Sequence, residues 1–365
     1  MKKILFIVET AIHKNDGYKS RIEMEMDLLK EGFQFYMLAP SNHENKTLKF
    51  KNQVKVYYFE SYDDNVPFAF NGRSLKKTLQ KLLREEEYIV VCEALPAAAL
   101  SLPICKRNHS EMVYDCHGIA YEEVYLYHPN IFGKKYAEWL RKKEKEVVEY
   151  ASLLIAVSNQ QYKVWETEKP FCLLPMIPSS DFYTNDNERE IMRAKLNIPE
   201  QSTVFVYSGQ NQKWQMSEKT IEFYKSIESE STFLVILTHQ IGEFQKIVKK
   251  NGIKKYCIRS VPYTDMYKYL DACDFGFCLR ENHVINLVAS PTKVLEYLAR
   301  NVKPILTKYV GDYSTELEES QMAMVLDDNL TPISFEVKKN FFGSEYVKRF
   351  ADVCSHEYIE RMTRL

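Results

Sequence analysis

Short apolar runs alternate with longer segments of helical periodicity along nearly the whole chain of 365 residues. Several apolar runs are almost continuous, which is typical of parallel strands buried on both faces of a sheet. In the first half we predict strands at residues 4–9, 33–39, 54–60, 88–93, 112–116, 153–157 and 171–176. Helical patterns at 20–30, 74–86, 96–106, 134–150 and 159–168 separate them. This alternation predicts a doubly wound parallel α/β sheet.

A second series of the same kind follows a polar, proline-containing stretch at 177–187, which we interpret as a linker. Its predicted strands are 203–209, 233–238, 255–260, 275–279, 304–307 and 322–326, with helices at 217–227, 243–251, 263–272 and 290–299. We therefore predict two Rossmann-like domains, 1–177 and 188–343, facing a cleft, and a C-terminal helical segment at 344–365. In such sheets ligands bind beyond the carboxyl ends of the strands.

Composition narrows the class of protein. Lysine plus arginine number 49 against 50 acidic residues, so charge gives no case for nucleic acid as a partner. The longest uncharged apolar run, 94–105, is shorter than the roughly 20 residues of a membrane-spanning helix. Because Glu9 ends the first apolar run early, we interpret that run as a strand and not as a signal peptide. The eight cysteines form no CxxC pair, so we expect reduced core cysteines in a cytoplasmic protein.

The segment 289–299 has the most distinctive local chemistry. Ser290 suits a helix N-cap and Pro291 the first helical position, with Lys293 in the first turn. Free N–H groups, the helix dipole and an ammonium group together favour a bound phosphate. Glu296, one turn further, could accept hydrogen bonds from hydroxyl groups of the same ligand. The alternative is a solvated helix face that carries a Glu296–Arg300 pair.

Other polar residues also follow predicted strands. Gly17 and Gly209 each allow close backbone approach to a ligand or simply form a turn. Lys213 and Arg280 could bind an anion or lie in solvated loops. Together with Lys293 they place three cationic groups on one rim of the second domain, which favours an anionic ligand such as a diphosphate.

His117 follows the strand 112–116 directly and stands beside Gly118. It could exchange a proton with a bound hydroxyl group near neutral pH, or it could be satisfied by a backbone carbonyl at a turn. No GxGxxG fingerprint and no paired DxD-type metal ligands occur. We therefore expect neither a dinucleotide cofactor nor a metal.

Four segments of the second half resemble the nucleotide-binding domain of GT-B glycosyltransferases, especially the retaining family 4. They are Tyr-Ser-Gly at 207–209 followed by Lys213, the stretch 269–277, Ser-Pro-Thr-Lys-Val-Leu-Glu-Tyr-Leu-Ala at 290–299, and Asn-Val-Lys-Pro-Ile at 301–305. In the first half only Asp-Cys-His-Gly at 115–118 and the Gly17 loop resemble the acceptor domain of that family.

The resemblance implies a nucleotide-sugar donor held by the second domain and a C-terminal helix that packs back on the first. It implies that Lys213 and the helix start contact the diphosphate, that Glu296 binds the ribose hydroxyl groups, and that His117 contacts the transferred sugar. It also places Gly17 near the diphosphate. The candidate site then comprises His117 and Glu296 as catalytic residues, and Gly17, Gly209, Lys213, Arg280, Ser290, Pro291, Thr292, Lys293 and Glu296 as donor-binding residues.

Two positions depart from the family pattern. Val288 stands where a second glutamate is expected, and Glu281 lies seven residues too early to replace it. Gln210 stands in place of an arginine, for which Arg280 could compensate.

We expect a metal-independent glycosyltransferase that moves a sugar from a nucleotide-diphosphate donor to a carbohydrate or lipid-linked acceptor, in surface polysaccharide assembly and with retention. One alternative is a nucleotide-sugar epimerase using His117 with Glu122 or Glu123; another is a weakly active GT-B-like subunit that supports a partner transferase. The basic helix near 132–145 could rest on an anionic membrane, or it could be a core helix with charged flanks.

Overall fold

A computed structural model describes residues 1–9, 12, 17–60, 68–183, 188–332, 334–335 and 341–365; the side chains of 43, 44, 68–71 and 213 are not among the described ones. The chain forms two compact units. The first comprises Met1–Pro175 with Val353–Leu365, and the second comprises Met176–Asp352.

The first unit contains one parallel sheet in the order β3-β2-β1-β4-β5-β6-β7. Its strands are β1 Lys2–Ile7, β2 Phe33–Pro40, β3 Val54–Phe59, β4 Ile89–Glu93, β5 Met112–Cys116, β6 Leu153–Ala156 and β7 Phe171–Leu173. Its helices are α1 Gly17–Leu29, α2 His43–Thr47, α3 Phe68–Glu85, α4 Ala94–Asn108, α5 Ala120–Tyr127, α6 Ile131–Tyr150 and α7 Asn159–Val164. Strands β4, β5 and β6 are buried throughout, which explains their continuous apolar sequences.

The second unit contains a parallel sheet in the order β10-β9-β8-β11-β12-β13. Its strands are β8 Thr203–Ser208, β9 Thr232–Leu237, β10 Tyr256–Arg259, β11 Phe275–Cys278, β12 Lys303–Thr307 and β13 Met324–Leu326. Its helices are α8 Arg189–Lys195, α9 Ser217–Ile227, α10 Ile241–Lys250, α11 Tyr263–Asp271, α12 Val284–Val288, α13 Thr292–Ala299 and α14 Tyr313–Glu319. This is the strand order of a doubly wound Rossmann sheet, and the first six strands of the other unit follow it too.

The last helix, α15 Gly343–Arg364, begins in the second unit and ends in the first. Tyr358 and Met362 are fully buried, and the Tyr358 hydroxyl group donates to Oε2 of Glu25 at 2.6 Å. The C-terminal helix therefore packs on the first unit, as predicted. In the described part of the chain, no helix is both long and apolar enough to cross a membrane.

One local expectation differs from the structure. Part of the segment interpreted as a linker folds with the second unit: Ser180–Tyr183 forms a short 3-10 helix, and Phe182 is fully buried against the core. The apolar side chain of Phe182 thus outweighs its polar neighbours; residues 184–187 lie outside the described part. The cleft expected between the domains stays a prediction.

Candidate functional site

The second unit reverses its strand order between β8 and β11, which pair directly. The carboxyl ends of strands at such a reversal border the ligand-binding crevice of open α/β sheets. Gly209 follows β8, and Arg280 comes two residues after β11. Helix α13 then supplies Lys293 and Glu296. The structure thus collects residues from separate sequence motifs at one end of the sheet.

The Lys293 side chain is buried at this end of the sheet and does not lie on a solvated helix face. It is only 8% exposed, with Nζ 3.3 Å from Oε1 of Gln215 and 4.8 Å from the ring centroid of Tyr207. Burial, and next the positive charge of Arg280, lower the pKa of Lys293 to about 8. Both effects oppose protonation, so the ammonium form is held there at a cost in free energy.

Arg280 is the second buried cation, with an exposed fraction of 5%. Its Nη1 donates to the carbonyl oxygen of Leu279 at 3.2 Å, and its backbone N–H donates to Oγ1 of Thr307 at 2.8 Å. Within the described residues, neither Arg280 nor Lys293 has a carboxylate oxygen within 4.0 Å of its charged group. A buried charge without a counter-charge is costly, so two adjacent ones indicate a site for an anion.

Gly209 is required by this arrangement for two reasons. Its φ angle is +142°, a conformation that side chains rarely adopt. A Cβ atom at this position would also lie 2.9 Å from Nζ of Lys293 and 2.7 Å from Oε1 of Gln215. The glycine therefore makes room for the lysine head group as well as forming the turn.

Glu296 contradicts the solvated-face alternative. It is 2% exposed and accepts a hydrogen bond from the Tyr263 hydroxyl group at 2.9 Å. Burial raises the pKa of Glu296 to about 7, although Tyr263 and Lys293 act to lower it. The alternative Glu296–Arg300 pair does not form, because Arg300 binds both carboxylate oxygens of Asp271 at 2.7 and 2.8 Å.

The start of α13 differs from the capped helix that the sequence predicted. The helix begins at Thr292, with Pro291 at the N-cap position and no side-chain cap. The Ser290 hydroxyl group instead shares a hydrogen bond of 2.8 Å with the hydroxyl group of Tyr313 on α14. The prediction that Ser290 caps the helix was therefore wrong, because a partner distant in sequence takes its hydroxyl group.

The structure describes two other candidate residues only in part. Lys213 begins a short 3-10 helix, Lys213–Gln215, and its side chain lies outside the described ones. Gly17 is exposed and begins α1, with no atom within 4 Å of where its Cβ would be. Most of the preceding loop, residues 10–11 and 13–16, also lies outside the described part.

The structure describes the positions at which the sequence departs from the family pattern. Val288 ends α12 and is 2% exposed. Glu281 lies 3.5 Å from Nζ of Lys219 in an exposed ion pair. The backbone oxygen of Gln210 accepts from the Tyr207 hydroxyl group at 2.8 Å. Arg280 is thus buried near Lys293, whereas the Glu281 side chain lies at the surface.

His117 has a setting that neither sequence alternative described. Its Nε2 lies 2.9 Å from Oδ2 of Asp115 and 3.1 Å from Oε2 of Glu93. Burial alone would lower the pKa of His117, but Asp115 and Glu93 outweigh burial and raise it to about 10. At neutral pH the ring is therefore an imidazolium ion, which donates hydrogen bonds and does not accept a proton.

Arg21 holds the Asp115 carboxylate that pairs with His117. Its Nε and Nη2 donate to the two carboxylate oxygens of Asp115, both at 2.8 Å, and its Nη1 donates to the Leu174 carbonyl oxygen at 2.7 Å. Burial tends to raise the pKa of Asp115, but Arg21 and then His117 lower it below its usual value. Our sequence reasoning named Asp115 only as part of the Asp-Cys-His-Gly motif, and it missed Arg21 and Glu93. The Asp-x-His spacing was the available signal, because alternate residues at a strand end share a face.

Glu93, Asp115 and His117 form the group of described residues whose potential ligand atoms lie within 4.8 Å of one another. Both Asp115 oxygens already accept from Arg21, and His117 lies between the two carboxylates. A metal cation would have to compete with the guanidinium and imidazolium charges at this place. We therefore interpret the trio as an ion-pair network.

No protein-family model and no curated protein matches this sequence. Solved structures of similar fold are matched over the whole chain. Sucrose-phosphate synthase from Thermosynechococcus elongatus aligns with a TM-score of 0.71 and 12% identity, covering 100% of this chain and 95% of that one. HepE from Anabaena, solved in complex with UDP, aligns with a TM-score of 0.70 and 12% identity, covering 100% and 99%.

WaaG, a glycosyltransferase involved in lipopolysaccharide biosynthesis, aligns with a TM-score of 0.65 and 14% identity, covering 98% of this chain and 94% of that one. At such identities the likeness establishes the fold. The predicted fold, two Rossmann-like doubly wound domains of the GT-B type, is therefore confirmed.

Proposed function

We propose that the protein is a glycosyltransferase that takes a sugar from a nucleoside-diphosphate donor. The observation that carries the proposal is the pair of buried cations Arg280 and Lys293, which have no carboxylate partner among the described residues. They lie at the strand-order reversal of the second unit, where a diphosphate would supply two negative charges. HepE, whose fold is similar, was solved in complex with UDP and in complex with UDP-glucose, which supports this choice of ligand.

The remaining candidate residues take complementary roles in this proposal. Arg280, Lys293, Lys213 and the N–H groups at the start of α13 would stabilise the charge that develops on the leaving diphosphate. The Glu296 carboxylate would accept hydrogen bonds from the ribose. Such fixed charges can stabilise a leaving diphosphate without a metal, and we keep metal independence as part of the proposal.

His117 would act in the first unit as a fixed cation. Its imidazolium group can donate a hydrogen bond to a sugar hydroxyl group, whereas its raised pKa makes it a poor general base at neutral pH. This favours a mechanism in which the leaving phosphate, and not the histidine, takes the acceptor proton. Retention of configuration, expected from the family resemblance, is compatible with that chemistry.

For the acceptor we propose only a general class, a carbohydrate or a lipid-linked glycan. WaaG is described as involved in lipopolysaccharide biosynthesis, and WaaB, which has a similar fold, as a lipopolysaccharide outer core galactosyltransferase; both support a role in surface polysaccharide assembly. We propose a cytoplasmic location, with peripheral membrane contact through α6. Ile131 and Phe132 at the start of that helix are 71% and 84% exposed and stand next to Lys134 and Lys135.

The epimerase alternative needs an acid/base set around His117. In the described residues the carboxylates within 4.0 Å of its ring are those of Asp115 and Glu93, and neither Glu122 nor Glu123 is among them. The buried cation pair also argues against a supporting subunit that binds no ligand, because such a subunit would gain stability from losing those charges.

The test is to incubate the protein with UDP-, ADP- and GDP-sugars and to measure nucleotide release. Slow hydrolysis, abolished in His117→Ala and in Lys293→Met, supports a glycosyltransferase. Isomerised sugar without release supports the epimerase. Binding without any turnover, with and without a polysaccharide or lipid-glycan acceptor mixture, supports the subunit.

A further inference from the structure

A hydrogen bond between two separate elements fixes one oxygen of the proposed ribose-binding carboxylate. Tyr263 is the first residue of α11, and its hydroxyl group donates to Oε1 of Glu296 on α13 at 2.9 Å. Within the described residues no further hydrogen bond reaches this carboxyl group. Oε2 of Glu296 therefore remains available to a ligand.

Tyr263 is 43% exposed, and one side of its ring packs against the core. Its centroid lies 5.5 Å from that of Phe182, which is fully buried in the core of the second unit. An aromatic side chain anchored in this way loses little further freedom when its hydroxyl group engages a partner. Tyr263 can therefore fix the orientation of Glu296 before any ligand arrives.

We propose that Tyr263 is a positioning residue that aims the Glu296 carboxylate at the ribose, so that the site selects ribonucleoside over 2′-deoxyribonucleoside diphosphates. This inference rests on the proposed function. A carboxylate has lone pairs for two hydroxyl donors, and the two neighbouring hydroxyl groups of ribose supply them. A 2′-deoxy nucleotide leaves one acceptor position of a buried carboxylate unpaired, which sites of this kind penalise strongly.

The orientation of the carboxylate decides how large this penalty is. Because Oε1 accepts from Tyr263, the carboxyl group cannot rotate to pair both oxygens with other donors. The hydroxyl group that a 2′-deoxy nucleotide lacks is then not replaced by another donor. Without the hydrogen bond from Tyr263, the carboxyl group can turn or take up a proton, because burial already raises its pKa. Selectivity between the two nucleotide classes is therefore expected to depend on a hydroxyl group that need not touch the ligand.

The test compares wild type, Tyr263→Phe and the matched control Tyr267→Phe, which lies one turn along the same helix with its ring against Arg300. Calorimetry measures the affinities for UDP, ADP and GDP and for their 2′-deoxy counterparts. For the preferred base we expect wild type and Tyr267→Phe to favour the ribonucleotide by about 10-fold or more, as a lost hydrogen bond to a charged group predicts. Tyr263→Phe is expected to reduce this ratio several-fold.

A loss of affinity for both nucleotide classes alike in Tyr263→Phe would show a merely structural role and would overturn the inference. An unchanged ratio in Tyr263→Phe would overturn it too, while leaving the proposed function intact. If wild type binds none of the six nucleotides, the proposed function and this inference fail together. Thermal unfolding of all three proteins verifies that each variant is folded.

Discussion

The ammonium nitrogen of Lys293 lies 2.9 Å from the point that a Cβ atom on Gly209 would occupy. Two motifs whose residues are 84 positions apart in sequence therefore meet at one end of the second sheet. The glycine allows the lysine to lie against the end of β8, where the Tyr207 ring supports its charge.

Gly209→Ala should damage the site and the fold together. The new methyl group would be strained at a φ of +142° and would displace Lys293, costing about 1–3 kcal/mol of unfolding free energy. We expect nucleoside diphosphate affinity to fall as well. Denaturant unfolding and calorimetry measure the two effects. Gly242→Ala on α10 is the control, because no atom lies within 4 Å of its Cβ position; it should leave the affinity unchanged and the unfolding free energy unchanged or slightly raised.

Nucleotide binding should be strongest between about pH 7 and pH 8. Below this range Glu296, whose pKa is raised to about 7, takes up a proton and loses acceptor capacity. Above it Lys293, whose pKa is lowered to about 8, loses its charge in the free protein, so that binding must be coupled to proton uptake. The charged groups facing this pair include Arg280, and Tyr263 donates to Glu296.

Calorimetric affinities between pH 6 and pH 9 test this profile. Lys293→Met should remove the alkaline decline, and Glu296→Gln should remove the part of the acid decline that does not come from the nucleotide itself. An affinity that stays flat across this range in wild type would contradict these assignments.

His117 should remain charged throughout the neutral range. Its pKa is about 10 in the folded protein, above the value of about 6.5 in an unfolded chain. Its charge therefore contributes stability that is fully present below about pH 6.5 and is lost as pH rises through 10. NMR titration of the His117 ring measures the pKa directly. Glu93→Gln should lower it, and a wild-type midpoint near 6.5 would be incompatible with the ion-pair network.

Phe132→Ser should weaken binding to vesicles that contain anionic phospholipid. Ile131 and Phe132 offer exposed apolar surface beside Lys134 and Lys135, and the two contributions act together at a membrane interface. Flotation with vesicles of neutral and anionic composition measures the effect. Ile191→Ser on α8 is the control, because Ile191 is 67% exposed and also lies near basic residues. Equal loss in both variants, or equal binding to neutral vesicles, would argue against a specific membrane surface.

The sequence predicted the strands of both sheets well, because parallel strands buried on both faces have nearly continuous apolar sequences. Strands were expected in both halves where the structure has them, from β1 at Lys2–Ile7 to β13 at Met324–Leu326. Short helices such as α8 and α14 were not identified, because seven residues give too little periodicity to distinguish a helix from a loop.

The chemistry of the candidate site was less predictable, because it depends on partners from distant segments. Helical periodicity placed Lys293, Glu296 and Arg300 on a polar face, yet Gln215, Tyr263 and Asp271 cover that face in the structure. Likewise, a lone His117 gives no sign that Glu93 on a neighbouring strand raises its pKa. Spacing along the chain identifies candidate groups, whereas burial and tertiary neighbours decide their charge.

The most direct measurement is the nucleoside diphosphate affinity of Lys293→Met and Arg280→Met, taken together with their thermal stability. Removing a buried cation that lacks a counter-ion should lower the affinity at least about 10-fold and leave the unfolding temperature unchanged or raised. Arg193→Met is the control, because Arg193 is buried and paired with Asp274 at 2.9 Å. That variant should lose stability without a specific loss of nucleotide affinity. Unchanged affinity in both Lys293→Met and Arg280→Met would contradict the proposed diphosphate site.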